Sequence, residues 1–172
     1  MTSRLPTLLV MAIAVTVVTS TMGAKPVPRF VWNASESVPI GLYTVHPAVR
    51  LAVTNLVVAM PPQPLSTFLA ERRRYLPIGV PLIKRILALP GQSVCRSDLL
   101  ISVDGIEMGA ALDHDRYGRA LPTWQGCRVI AEGEVFLMNW DEPQSLDSRY
   151  FGPVPLSAIV GRAEPVWTFE EE

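Results

Sequence analysis

Three short segments of this 172-residue chain carry side chains that could do chemistry together. The first is Ser35-Glu36-Ser37-Val38-Pro39-Ile40-Gly41-Leu42-Tyr43. A serine hydroxyl becomes a nucleophile once a base takes its proton. By itself Ser37 reads as a turn residue, because serine before proline commonly serves turns. The second is Lys84-Arg85-Ile86-Leu87-Ala88-Leu89-Pro90-Gly91, a charged pair inside an apolar run. The third is Ser145-Leu146-Asp147-Ser148-Arg149-Tyr150-Phe151-Gly152. There a carboxylate and a guanidinium stand two residues apart. They would share a face on a strand and could pair in a turn.

The lysine is the most telling of these. On a strand, Lys84 lies on one face with Leu82, Ile86 and Ala88. An ammonium there loses its water, and desolvation favours the neutral amine. Bringing a lysine from about 10.4 to near 7 means roughly 4–5 kcal/mol against the charged form. A lysine so tuned can take a proton from a serine hydroxyl. The alternative is that Lys84 snorkels its head to solvent. Arg85, on the other face, has equally apolar neighbours, so periodicity does not choose between the two.

These residues need a scaffold, and the chain offers short strands. Sixteen prolines and 18% charge leave little room for long helices. Apolar and β-branched runs between breakers predict strands over Gly41–Val45, Leu51–Met60, Pro81–Leu89, Leu99–Val103, Gly133–Trp140 and Ile159–Trp167. Asp104-Gly105 is a hairpin-turn signal. Pro64–Tyr75 is the best helix candidate of the exported part, with Arg72, Arg73 and Arg74 at its solvated end. The pattern predicts a mainly β fold of sandwich or barrel type. The segment from Gly109 to Trp124 is a loop with no role assigned.

Leu5 to Ala24 contains no charged residue, with Arg4 before it and Lys25 after it. About twenty such residues describe either a membrane anchor or a signal peptide. We therefore divide the chain into residues 1–24, the signal or membrane helix, and residues 25–172, an exported domain. Cys95 and Cys127 fit an oxidising compartment; paired, they close a loop worth roughly 3 kcal/mol. The alternative is two free thiols in a core. Two isolated histidines and no HExxH or CxxC pattern give no metal site, so no metal or other cofactor is expected. His46 or His114 could complete a serine triad only by lying near Ser37. Sixteen acidic and fifteen basic residues leave no basic stripe for nucleic acid.

Taken together the three segments resemble the signal peptidase I family of Ser-Lys serine peptidases. The resemblance rests on order: a membrane segment, the serine, a hydrophobic strand, Lys84-Arg85 with Leu89-Pro90-Gly91, then Ser145, Asp147-Ser148-Arg149 and Gly152. It spans roughly residues 30–162. The Ser37-Val38-Pro39-Ile40-Gly41-Leu42-Tyr43 pattern is similar to the conjugative-transfer branch, the TraF peptidases, rather than to the general enzymes. Asn55 and Gln92 stand where the general family usually has aspartate.

The resemblance implies roles. Ser37 would attack the scissile carbonyl and Lys84 would be its base. Ser35 would donate to the oxyanion beside the Ser37 backbone N–H, a donor worth about 3–4 kcal/mol in such sites. Ser145 would orient the lysine amine, and Asp147 with Arg149 would brace the site. The implied substrate is a pilin precursor of a conjugative type IV secretion system. It would be processed, and possibly cyclised by acyl transfer, in the periplasm at the outer face of the inner membrane beside other mating-pair components. The rival readings are a general leader peptidase and a non-catalytic pilus-assembly protein.

Overall fold

The computed structural model describes residues 4–22, 28–72 and 75–169. A helix, α1 (Leu5–Met22), comes first. Then follow β1 (Phe30–Asn33), β2 (Gly41–His46), β3 (Leu56–Ala59) and α2 (Gln63–Thr67), which runs on into a π-helical turn (Phe68–Arg72). Next come β4 (Leu82–Ala88), β5 (Ser93–Ser97), β6 (Leu100–Val103), β7 (Ile106–Ala110), β8 (Gly126–Val129) and β9 (Glu134–Leu137). The chain closes with α3 (Ser148–Phe151), β10 (Val154–Pro155) and β11 (Ile159–Thr168).

The strands form two antiparallel sheets. Seven curl into one, in the order β1-β2-β11-β3-β4-β9-β10; four form the other, in the order β7-β6-β5-β8. The predicted mainly β class holds. Leu87 and Ala88 of β4, Val94 of β5, Ile101 and Val103 of β6 and Phe136 of β9 bury against one another, so the core joins the two sheets. A second core, Val57, Ala59, Ile86, Val135 and Leu137, lies within the large sheet's own curl. β2 alternates as a half-buried strand should, with Tyr43 and Val45 inward and Leu42, Thr44 and His46 outward. β4 is central and buried on both faces.

Several expected boundaries move for identifiable reasons. The strand expected from Leu51 begins only at Leu56, because residues 52–55 close a turn. Ala52 N–H donates to Asn55 Oδ1 (3.0 Å), Asn55 N–H donates to the Ala52 carbonyl (3.1 Å), and Thr54 takes a positive φ of 77°. The helix expected over Pro64–Tyr75 widens into its π turn after Thr67, and Tyr75 N–H caps it on the Leu69 carbonyl (2.8 Å). Arg73 and Arg74 lie outside the described residues, as do Lys25, Pro26 and Val27. The Asp104-Gly105 turn joins β6 to β7, with positive φ at both residues (51° and 83°) as a type I′ turn requires. β1, β5, β7, β8 and the two-residue β10 come in addition to the expected strands.

α1 is exposed from Leu5 to Ser20, with apolar side chains all round it. Among the described residues no helix is long and apolar enough to cross a membrane.

Candidate active site

The turn between β1 and β2 presents Ser37, and side chains from three places hold it in shape. Asn33, at the end of β1, donates Nδ2 to the carbonyls of Ser35 (2.7 Å), Val38 (2.8 Å) and Pro39 (3.2 Å). Its Oδ1 accepts from Ser35 N–H (3.2 Å) and from the Ser35 hydroxyl (2.9 Å). Tyr43 Oη, from β2, donates to the Pro39 carbonyl (2.6 Å). Asn139 Nδ2 donates to the Ser37 carbonyl (2.6 Å). The carbonyls of Ser35, Ser37, Val38 and Pro39 are thus all engaged, and the turn has little freedom to relax. Ser35 Oγ and Ser37 Oγ stand 3.0 Å apart. With its own hydrogen on Asn33, Ser35 Oγ is left to accept the Ser37 hydroxyl.

Lys84 is buried in the middle of β4, at 2% exposure. Its Nζ donates to Ser145 Oγ at 2.7 Å. Desolvation lowers its pKa from 10.5 to about 8; the Asp147 carboxylate opposes that shift, Arg149 adds to it, and Glu142 opposes it. A neutral fraction of the amine is therefore present near neutral pH, which an exposed lysine would not have. Arg85 takes the other face, where its guanidinium lies over the Trp140 ring at 5.6 Å. Of the two adjacent cations it is Lys84 that is desolvated.

Arg149 organises the strand-to-helix segment that supplies Ser145. It is 1% exposed, and its Nε and Nη2 grip both oxygens of Asp147 at 2.9 Å each. Nη2 also donates to the carbonyls of Glu142 (2.8 Å), Ser145 (3.0 Å) and Asn139 (3.3 Å), and Nη1 to that of Ala110 (3.1 Å). Asp147 caps α3 through Arg149 N–H (3.1 Å) and accepts from Asn139 N–H (3.1 Å). This buried pair is fully hydrogen-bonded, the condition under which buried charges are tolerated. From the second sheet, Arg96 of β5 donates to the Arg149 carbonyl at 2.6 Å.

Ser35, Ser37, Lys84 and Ser145 line one cleft of about 240 Å³. Its walls include Leu69, Leu76, Leu82, Leu112, Leu121 and Leu146, with Glu36, Asp115, Arg116 and Glu142 among the polar groups. Asp147 and Arg149 stand behind Ser145 rather than in the cleft. His46 points away on β2, 3.4 Å from Glu164, and His114 lies in a bridge with Ala120; neither lines the cleft. Among the described residues no group of three or more His, Cys, Asp or Glu is placed to hold a metal.

A family model described as signal peptidase, peptidase S26, matches residues 2–168. The chain belongs to that family. A conjugal transfer protein TraF of Agrobacterium fabrum is 38% identical over 147 residues, covering 80% of this chain and 82% of the relative. A plasmid transfer protein TraF of Escherichia coli is 33% identical over 146 residues, with coverage of 80% and 82%. A probable signal peptidase I-1 of Synechocystis is 29% identical over 123 residues, covering 70% of this chain and 55% of the relative. Among solved structures, the signal peptidase I of Enterococcus faecalis matches with a TM-score of 0.40 at 19% identity, over 66% of this chain and 96% of that one.

Two residues that shape this peptidase-family site carry no strong local signal. Asn33 precedes Ser35 by two positions, a spacing that suits a side-chain-closed turn. Asn139 has no such cue, since it works across 102 residues of chain to reach Ser37. It also accepts from Arg85 N–H (2.9 Å) and donates to the Ile83 carbonyl (3.3 Å), tying the serine turn to the lysine strand. Asn55 closes its own turn. Gln92 accepts from Leu89 N–H (3.0 Å) and donates to Asp104 (3.1 Å), so the side chains at both departures from the general family support turns.

The 109–124 segment is built around Asp115, whose side chain is 6% exposed. Asp115 accepts from Tyr117 N–H (2.9 Å), Arg119 N–H (2.9 Å), Arg119 Nε (2.6 Å) and the Tyr75 hydroxyl. Burial alone would raise its pKa; the hydrogen bonds from Tyr75, Arg119 and Tyr117 outweigh that and hold it below the usual carboxylate range. The Arg119 guanidinium also lies 4.8 Å from the Tyr75 ring centre.

Proposed function

We propose that this chain is a serine endopeptidase with a Ser37–Lys84 dyad that matures a conjugative pilin precursor. The observation that carries the reading is a lysine 2% exposed, with its pKa brought to about 8, lining the same cleft as a serine held in a rigid turn. The neutral Lys84 amine takes the Ser37 proton as Oγ attacks the scissile carbonyl. The oxyanion forms beside the Ser37 N–H, and the Ser35 hydroxyl turns from Asn33 to meet it. The C–N bond breaks, and the Lys84 ammonium returns its proton to the leaving amine. Ser145 holds the lysine amine in place, and the Asp147–Arg149 pair fixes Ser145.

An ester now joins Ser37 to the pilin. Water resolves it to a linear product. If the pilin's own terminal amine attacks instead, an amide closes the chain and Ser37 is freed without net addition of water. The relatives named as conjugal and plasmid transfer proteins support a transfer substrate. The apolar α1 supports a place at the outer face of the inner membrane beside the transfer machinery, and the paired cysteines suit the periplasm.

Pilin mass in cells carrying Ser37→Ala or Lys84→Ala tests the reading. Each change should cut maturation by at least about 10⁴-fold while the protein stays folded. Mature pilin in either strain removes the dyad and leaves a non-catalytic assembly role. A product lighter by one water than the linear cut peptide identifies ring closure. Rescue of a leader-peptidase-deficient strain would instead favour a general signal peptidase.

A further inference from the structure

The 109–124 segment forms a wall of the cleft that the chemistry above does not use. Leu112 and Leu121 face the cleft from it, and Leu76 faces it from the segment after the π turn. Asp115 fastens these two walls together, because it takes hydrogen bonds both from its own loop and from Tyr75, forty residues earlier. The loop closes on itself through the His114–Ala120 bridge, and one nearly buried carboxylate links it to the Tyr75 wall. Tyr150 of α3 also fixes the loop's start, since its Oη accepts from Leu112 N–H at 3.0 Å. A loop held this tightly presents fixed shape rather than loose cover.

We propose that this wall is a specificity subsite, in which Leu76, Leu112 and Leu121 seat a branched aliphatic side chain of an extended peptide substrate and Asp115 positions them. The occupant follows from continuity: the same cleft holds Ser37 and Lys84, so a peptide with its scissile carbonyl at Ser37 passes this wall. Aliphatic walls of this kind favour leucine or isoleucine over alanine, and they disfavour a carboxylate, which loses its water against the three leucines. The inference rests on the peptidase reading for the identity of its ligand, but binding alone can test it.

Binding is measured to the full chain carrying Ser37→Ala, so that turnover plays no part. The probes are short fluorescein-labelled peptides tiling the cognate pilin precursor, with each position near the junction set in turn to Leu, Ala or Asp. At one position Leu should bind about tenfold more tightly than Ala, the discrimination that a few buried methyl groups provide. Leu121→Ala and Asp115→Asn, each added to that chain, should bring the preference at that position to within about twofold and leave the other positions unchanged. Tyr75→Phe, which removes one donor to Asp115, should act in the same direction more weakly. Leu121→Met, which conserves volume, guards against loss of fold and should keep an aliphatic preference. An absent aliphatic preference, or one that survives both Leu121→Ala and Asp115→Asn, overturns the subsite. Cleavage of the same peptides by the unaltered chain is scored separately. A chain that binds with this preference yet never cuts refutes the peptidase reading and leaves the groove standing.

Discussion

Burial costs the Lys84 ammonium its hydration, and that cost can be read in two independent ways. In catalysis, kcat/KM should rise about tenfold per pH unit below about 8 and level off above it, as the amine loses its proton. An ordinary lysine would place the bend near 10.5. Initial rates on a cut peptide measure this, and a flat profile between about pH 6 and pH 9 would rule Lys84 out as the base. In stability, the folded pKa lies below the unfolded one, so the unfolded chain binds the extra proton between the two. Stability due to this group should therefore rise from pH 8 toward 10.5, by about 3 kcal/mol in all, and stay level above. Burial raises the pKa of Tyr43, Tyr75 and Tyr150 above 10.0, which works against stability as the pH nears that value. Denaturant unfolding of the wild type is therefore compared with Lys84→Met, and only the difference should climb with pH. Legibility at this scale followed the reach of each residue's partners. Lys84 was visible because an apolar run surrounded it in sequence. Which of Lys84 and Arg85 was buried was not visible, because both faces of β4 are covered and only Trp140, fifty-five positions later, takes up the guanidinium.

At the scale of elements, β5 and β8 show why strands were missed. β8 is exposed at every position and reads Gly126-Cys127-Arg128-Val129, with no alternation to betray it. β5 is half-buried but carries Arg96, which looks like a surface residue until its bond to the Arg149 carbonyl is seen. β1 carries no strand signal because Pro26 and Pro28 crowd its start. The strands that were legible are those bounded by Pro and Gly or signalled by a two-residue turn, as β4 and β6 are. The Cys95–Cys127 disulfide joins directly opposed residues of β5 and β8. It closes a loop that includes the hairpin and the 109–124 segment, so its main effect should be on the unfolded chain. Replacing both cysteines by serine should lower unfolding free energy by about 3–4 kcal/mol, measured by denaturant unfolding with midpoint and slope both fitted, since the freed unfolded chain exposes more surface. The Arg96 contact does not depend on the sulfurs, so the folded fraction should keep its activity. An unchanged midpoint would mean that the β5–β8 ladder alone fixes these strands, with the bond adding nothing.

For the whole molecule, α1 poses a problem that the β domain does not solve. Leu8, Leu9, Val10, Met11, Ile13, Val15, Val17 and Val18 are all more than half exposed. Left in water, such a surface is costly and adhesive. Three of its hydroxyls are already satisfied: Thr16, Thr19 and Ser20 each bond a carbonyl of the preceding turn, at 2.8 Å. A helix that satisfies its own hydroxyls suits an apolar medium. Eighteen residues rise about 27 Å, less than a hydrocarbon core of about 30 Å, so a bilayer can take up this apolar surface without the described helix crossing it. The helix should therefore keep the β domain at the membrane, since β1 begins eight positions after Met22 and Ser37 follows fifteen positions after it. Full-length protein should stay in the pellet after alkaline carbonate extraction, and a chain lacking Leu5–Met22 but still exported should move to the supernatant. The shortened chain should cut a soluble peptide within about twofold of the full rate, since α1 contributes nothing to the cleft. Its maturation of membrane-held pilin should fall by tenfold or more, on the order of the effective concentration that tethering supplies. Full-length protein in the supernatant would remove the anchor, and equal pilin maturation by both chains would show that the two need not meet on one surface.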